Sequence, residues 1–248
     1  MALQTFSRFE KKYLLTENQK NQLVPYLLDY LELDPNNKEN SFYSIYNIYY
    51  DTLDNHLIAE SIKKPVYKEK LRLRSYNFPV KDDDMVFLEI KKKSEGKVNK
   101  RRIIITYKEA CDLINKGLDP LFDEKNYLNQ QVLKEIKYIL KTYKLVPNYF
   151  IAYDRIAFFA KDDPSIRITF DKNIRQRTKD VTFTNQEGTN ILKDNMWLME
   201  IKVGNSLPLW LTRKLSELQI YPTSFSKYGK AYQNNIKGAY NHDQYVQR

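Results

Sequence analysis

The sequence predicts an α+β protein: a closed antiparallel β-tunnel with flanking helices. Three observations lead there. The 248 residues contain 20 Tyr and 12 Phe but only 6 Gly, a balance that favours pleated, half-buried strands over glycine-rich loops. Charged side chains alternate with apolar ones in six separate segments. Two capping boxes and several amphipathic runs mark helices between those segments.

Taken in order, residues 5–15 alternate as a strand, and Thr16 with Gln19 then forms a capping box for a helix to about Leu31, kinked at Pro25. Strands follow at 41–52, 67–76, 85–93 and 97–106, the last two joined as a hairpin through Ser94, Glu95 and Gly96. Thr106 and Glu109 open a second capped helix that stops at Gly117. Leu128, Val132, Ile136, Ile139 and Leu140 recur at helical spacing over 126–143. Strand patterns return at 149–160, 165–172, about 180–184 and 196–203. A helix after Pro208 carries Leu207, Trp210, Leu211, Leu215 and Leu218 on one face, and a last one runs from about Ser226 to Ile236. With no repeat, low-complexity tract or long linker, residues 1–248 read as one domain.

Forty-one Lys and Arg against 31 Asp and Glu give a formal net charge of +10, which favours phosphate-rich partners. There is no GxxxxGK[ST] and no GxGxxG, so any nucleotide chemistry must use side chains rather than a backbone nest before a helix. The RNP, zinc-site and helix-turn-helix patterns are also missing, so no nucleic acid partner is expected. A single Cys111 forms no intrachain bridge and suits a reducing compartment. No stretch of some 18 apolar residues occurs, and the N-terminus lacks a signal-peptide pattern; a cytoplasmic location is expected.

Because residues two apart in a strand share a face, the charges sort themselves. Arg8, Glu10 and Lys12 fall together, as do Lys68, Lys70, Arg72 and Arg74; Glu89, Lys91 and Lys93; Lys100 and Arg102; Arg167, Thr169 and Asp171; Glu200 and Lys202. With Arg155 added, cations far outnumber Glu10, Glu89, Asp171 and Glu200 on these faces. Solvated sheet faces ordinarily mix signs, because like charges opposite each other repel. Converging inside a barrel, such faces need a polyanion, metal ions or water to offset desolvation. Polyphosphate meets that need, and Mn²⁺ or Mg²⁺ would bridge its oxygens to a carboxylate, for which Glu200 is the best placed. His56 and His242 lie outside the pattern and read as surface or structural.

RFEKKYLL at 8–15, IYYDT at 48–52, KLRLRSY at 70–76, FLEIKKK at 87–93, KVNKRR at 97–102, YDRIAF at 153–158, IRITFD at 166–171, LMEIKV at 198–203 and FSKYGKAY at 225–232 occur in this order. Together they resemble the polyphosphate polymerase domain of the vacuolar transporter chaperone (VTC) type, within the triphosphate tunnel metalloenzymes. That resemblance implies eight antiparallel strands around a bore in which the γ-phosphoryl of ATP is added to a growing inorganic polyphosphate. It implies Lys12, Arg72, Arg74, Lys91, Lys100, Arg155 and Arg167 as basic phosphate ligands. Arg8, Lys70, Arg102 and Lys202 join them as substrate-binding cations, and Glu200 is the implied metal-holding carboxylate. Ser226 and Lys227 resemble further phosphate contacts, although Ser224 stands where fungal members carry a lysine. Hydrolysis of tripolyphosphate or a nucleoside triphosphate, and a non-catalytic polyphosphate sensor, are the alternative readings. Polymerases of this type act beside membrane proteins that carry the product away, so such a partner is also implied.

Overall fold

Thr16 ends the first strand and starts the first helix with one side chain. Its hydroxyl accepts from the Gln19 backbone N–H at 3.2 Å, while the Gln19 side chain accepts from the Thr16 N–H at 3.0 Å. Strand β1 (Phe9–Thr16) thereby passes directly into α1 (Glu17–Leu27). The computed structural model describes residues 9–37, 42–95, 97–121 and 127–246. Arg8 and the expected strand start at residue 5 lie outside them.

The remaining elements are β2 (Leu31–Leu33), β3 (Tyr43–Asp51), α2 (His56–Ile62), β4 (Tyr67–Ser75), β5 (Met85–Ser94), β6 (Lys97–Thr106), α3 (Tyr107–Lys116), α4 (Tyr127–Thr142), β7 (Val146–Ala160), β8 (Arg167–Arg177), β9 (Thr189–Asn190), β10 (Met196–Val203), α5 (Leu209–Glu217), β11 (Pro222–Thr223) and α6 (Lys227–Val246). Helix α3 begins at the capping box of Thr106 and Glu109 and ends at Gly117, whose φ of 70° is the left-handed conformation that glycine adopts without a Cβ clash.

The strands follow the order β11–β1–β10–β8–β7–β3–β4–β5–β6, with β2 on β7 and β9 on β8. This corrects the expected closed, eight-stranded tunnel. Eleven strands take part, and the order has two ends, β6 and β11, which do not pair with each other among the described residues. The short strands β2, β9 and β11 each add two or three residues to a neighbour, which the alternation pattern is too brief to reveal.

Three local expectations also change. Helix α1 stops at Leu27, so Leu31 pairs with Ala160 as part of β2 and buries itself in an apolar core. Residues 180–184 form no strand; Phe183 is buried instead among the residues that pack on β4, β5 and β6. Helix α2 escaped the sequence reading because its cap comes from outside it. The carboxylate of Asp51 accepts from the backbone N–H groups of Leu57 and Ile58 at 2.8 and 2.9 Å.

The chain divides into two compact units, each discontinuous in sequence. The first comprises residues 1–44, 153–174 and 192–226, and the second 45–152, 175–191 and 227–248. Each has its own apolar core. In the first, Leu23 and Leu27 of α1 and Leu211 and Leu215 of α5 pack with Leu15, Ile168, Phe170, Met199 and Ile201 from the strands. In the second, Leu113 of α3 and Val132, Ile136 and Ile139 of α4 pack with Leu71, Leu73, Leu88, Ile90, Ile103 and Ile105. Helices thus cover the apolar face of β4–β6 and leave the other face, with its charges, uncovered by that core.

Ile136 is fully buried in that second core, whereas Tyr138 on the same helix is mostly exposed. Ile136→Ala should lower unfolding free energy by about 2–5 kcal/mol, and Tyr138→Ala should stay within about 0.5 kcal/mol. Chemical denaturation checks both; equal losses would contradict this placement of α4.

Candidate functional site

In the second unit the ladder of β4, β5 and β6 sets the arrangement. Lys70 is the register partner of Lys91, and Lys91 of Lys100, so three lysines stand directly opposite one another on one face. One step along the strands the same face carries Arg72, Glu89 and Arg102, again in register. Neighbouring strands lie about 4.8 Å apart, so the lysine row concentrates like charge that ordinary sheets avoid.

Glu89 is the counterweight, and it is almost completely buried. Its carboxylate accepts from Arg72 Nε, lies 3.7 Å from Arg74 Nε, and pairs with the Lys100 ammonium. Burial works to raise its pKa, but Arg72, Arg74 and Lys100 outweigh burial and hold it at about 2. Lys100 moves the other way: burial, reinforced by Arg72 and Arg74, pushes its ammonium down to about 8 despite Glu89.

Strand β3 orients the two arginines. Tyr49 is the register partner of Arg72 and Asn47 that of Arg74. Arg72 Nη1 donates to the Tyr49 hydroxyl at 3.2 Å, and Arg74 Nε donates to Asn47 Oδ1 at 3.1 Å. Asn47 is itself fixed by donating to the Ile151 carbonyl at 3.0 Å. Burial raises the Tyr49 phenol, yet Arg72, Arg74 and Lys227 together bring it below its ordinary value. Lys227 starts α6, and the next residue anchors that helix. The Tyr228 hydroxyl donates to Asp51 at 2.7 Å, its ring stacks on Tyr49 at 4.5 Å, and Lys70 lies over the same ring at 5.5 Å.

In the first unit, β1, β10 and β8 carry a more balanced set. Glu10 opposes Lys202, which opposes Arg167; Lys12 opposes Glu200, which opposes Thr169. Lys12 Nζ donates to the Phe225 carbonyl at 3.0 Å and lies 3.2 Å from Glu10 and 3.8 Å from Glu200. Lys202 lies 3.8 Å from Glu10; burial lowers its ammonium below the usual range although Glu200 and Glu10 oppose that. Arg155, on β7, grips Asp171 with two parallel bonds of 2.6 and 2.8 Å and comes within 3.8 Å of Glu200. Burial disfavours its charge, but Asp171 more than compensates and raises the guanidinium pKa.

Arg167 Nη2 donates to Asp34 at 2.7 Å. Its Nε and the Thr169 hydroxyl are both buried, with no hydrogen-bond partner among the described residues. Buried polar atoms are ordinarily satisfied, so these two atoms beside Glu200 and Lys202 call for an ordered water or a ligand oxygen. Ser226 and Ser224 are exposed in the segment that follows β11. His56 is exposed at the start of α2, and the side chain of His242 falls outside those described.

The structure thus groups Lys70, Arg72, Arg74, Lys91, Lys100, Arg102 and Lys227 in the second unit, and Lys12, Arg155, Arg167, Glu200, Lys202 and Ser226 in the first. The sequence reading missed Asn47, Tyr49 and Asp51, although their spacing of two on one strand was a usable signal. It also missed Asp34, which sits in a turn and carries no periodic signal at all.

A family model for the VTC domain matches residues 7–235. No match is found among curated proteins. Among solved structures, a protein from Bacillus halodurans provisionally named an adenylate cyclase aligns at 13% identity. The alignment covers 88% of this chain and 92% of that one with a TM-score of 0.51, a likeness of fold. A similarly named protein from Vibrio parahaemolyticus aligns at 11% identity over 91% and 97% of the two chains, with a TM-score of 0.45. Protein PH1819 from Pyrococcus horikoshii aligns at 12% identity over 92% and 99%, with a TM-score of 0.43. With residues 7–235 of its 248 matched, the chain belongs to the VTC domain family.

Proposed function

We propose that this chain is a metal-dependent polyphosphate polymerase that transfers the γ-phosphoryl group of ATP to a growing inorganic polyphosphate. The observation that carries the reading is the in-register row of Lys70, Lys91 and Lys100 beside Arg72 and Arg74. A polyanion with regularly spaced charges relieves that repulsion, and each charge-assisted bond to a phosphate oxygen contributes about 1.5–3 kcal/mol. Family membership supports the same substrate class.

Phosphoryl transfer asks little covalent chemistry of a protein. Its transition state is loose, so in-line positioning and neutralisation of the phosphate oxygens supply most of the acceleration. Tyr49, Asn47 and Glu89 hold Arg72 and Arg74 in fixed directions, which is the preorganisation that such catalysis needs. The end of a polyphosphate chain is already anionic, so no strong general base is required. Lys91 is exposed and stands between Lys70 and Lys100 in the ladder.

Among the described residues no group of three or more His, Cys, Asp and Glu is placed to hold a metal ion. Mg²⁺ is commonly held by one or two carboxylates together with substrate phosphates and water. Glu200 would hold it, and the unpartnered hydroxyl of Thr169, its register partner, fits an oxygen-rich neighbourhood. When bound, the ion would neutralise phosphate oxygens. Among the described residues no helix is long and apolar enough to cross a membrane.

Incubation with ATP and Mn²⁺, followed by gel electrophoresis and phosphorus NMR, tests the reading. Long chains with ADP are expected; orthophosphate as the product would instead assign a hydrolase. Lys91→Ala should cut turnover about a hundredfold, in line with loss of one charge-stabilising donor. Arg155 makes a poorer probe, since its removal strips buried Asp171 of a bidentate ion pair. Glu200→Gln should raise the Mn²⁺ concentration for half-maximal activity, and an unchanged titration would refute its metal role.

Lys100 adds a pH dependence. Its folded pKa is lowered to about 8, so the ammonium is present below that pH and lost above it. A bound anion favours the ammonium, so affinity must fall as pH rises through about 8. The logarithm of kcat/KM for ATP should therefore descend there in the wild type, and Lys100→Arg should move the descent to higher pH. A descent unaltered in Lys100→Arg would remove Lys100 from the site.

A further inference from the structure

Strand β3 sends Asn47, Tyr49 and Asp51 to one face, while Tyr46, Ile48 and Tyr50 enter the apolar core. Two of the three hold a cation of β4 directly: Asn47 accepts from Arg74, and Tyr49 accepts from Arg72. Asp51 is engaged differently. It is fully buried, and its Oδ1 accepts from the backbone N–H groups of Thr52 and Leu57, each at 2.8 Å. Its Oδ2 accepts from the Ile58 N–H at 2.9 Å and from the Tyr228 hydroxyl at 2.7 Å. Burial and this carboxylate raise the Tyr228 phenol above its ordinary value, so it keeps the proton it donates. The ring anchored in this way is buried, stacks on Tyr49 with planes 26° apart and meets the Tyr149 ring at 5.1 Å. It turns a face to the Lys70 ammonium, which lies 5.5 Å from its centre.

We infer that Tyr228 is a positioning residue for polyanion binding: Asp51 fixes its ring, and the ring fixes the Lys70 ammonium at the end of the lysine row. The inference rests on the phosphate-binding reading above and adds to it a residue that acts through Lys70. A lysine stem is flexible, and Lys91, the register partner of Lys70, repels it. Left to itself, the ammonium would swing away from the row. A carboxylate could hold it, but only by cancelling charge that attracts a polyanion. An aromatic face attracts an ammonium through its quadrupole and adds no negative charge. With its oxygens engaged by three backbone N–H groups and one hydroxyl, Asp51 contributes through the ring. Those three backbone bonds hold the start of α2 without Tyr228. Helix α6 likewise has a second attachment, Asn235 donating to the Tyr149 hydroxyl at 3.0 Å, so a change of ring at position 228 leaves both helices seated.

Titration calorimetry of the full chain with inorganic tripolyphosphate and Mn²⁺ reads the effect, comparing Tyr228→Phe with a trifluorinated phenylalanine at the same position. Fluorine drains the negative face of the ring and nearly keeps its shape, so the fold is preserved, which thermal unfolding checks. Tyr228→Phe removes only the hydrogen bond to Asp51 and should raise Kd about threefold. The fluorinated ring should bind about fivefold more weakly than Tyr228→Phe, the size of a lost ammonium–ring contact. In a Lys70→Met background the two rings should bind within about twofold of each other, because the side chain they act through is gone. Equal affinity of the two rings with Lys70 present, or the same fluorine effect without it, overturns the role of Tyr228 and leaves phosphate binding intact. An affinity unchanged by Lys70→Met does so too. A wild type that binds no tripolyphosphate overturns the functional reading and this inference with it.

Discussion

Three lysines held opposite one another on neighbouring strands are the constraint on which the second unit depends. The backbone ladder of β4, β5 and β6 fixes Lys70, Lys91 and Lys100 in register. Sliding a strand by one residue would turn Leu71, Ile90 and Ile103 out of their core and is blocked by that burial. The apolar face thus enforces an arrangement on the charged face that electrostatics alone would reject. Glu89, buried among Arg72, Arg74 and Lys100, relieves part of the repulsion and leaves the cations in excess.

The first unit solves its charge problem differently. Arg155 has Asp171, Arg167 has Asp34, and Lys12 lies between Glu10 and Glu200. These pairs fix geometry, since a bidentate guanidinium and carboxylate leave little rotational freedom. Their near balance explains why buried Arg155 keeps its charge, while burial, reinforced by Arg72 and Arg74, lowers the Lys100 ammonium to about 8. The two units thus offer distinct environments: one with surplus positive charge, the other with its charges nearly balanced.

Much of this was legible in the sequence because strands report faces directly. The alternation of Lys70, Arg72 and Arg74 with Leu71 and Leu73, and of Glu89 and Lys91 with Leu88 and Ile90, predicted which side chains share a surface, and β4 and β5 bear this out. The two capping boxes gave helix starts at Thr16 and Thr106, since a cap is a local interaction of four residues. What escaped depends on contacts distant in sequence. Tyr228 meets Asp51 across 177 positions, Asp34 meets Arg167 across 133, and no local pattern announces either. Closure failed for a related reason: it is a property of how strand edges end, and the two-residue strands β9 and β11 leave no periodic trace.

The most direct measurement is a crystal structure with tripolyphosphate and Mn²⁺. The account predicts phosphate oxygens within about 3.2 Å of the Lys91 ammonium and the Arg72 guanidinium, at hydrogen-bond distance. Tripolyphosphate bound elsewhere, with Lys91 and Arg72 making no contact to it, would contradict the claim that this lysine row exists to hold a polyanion.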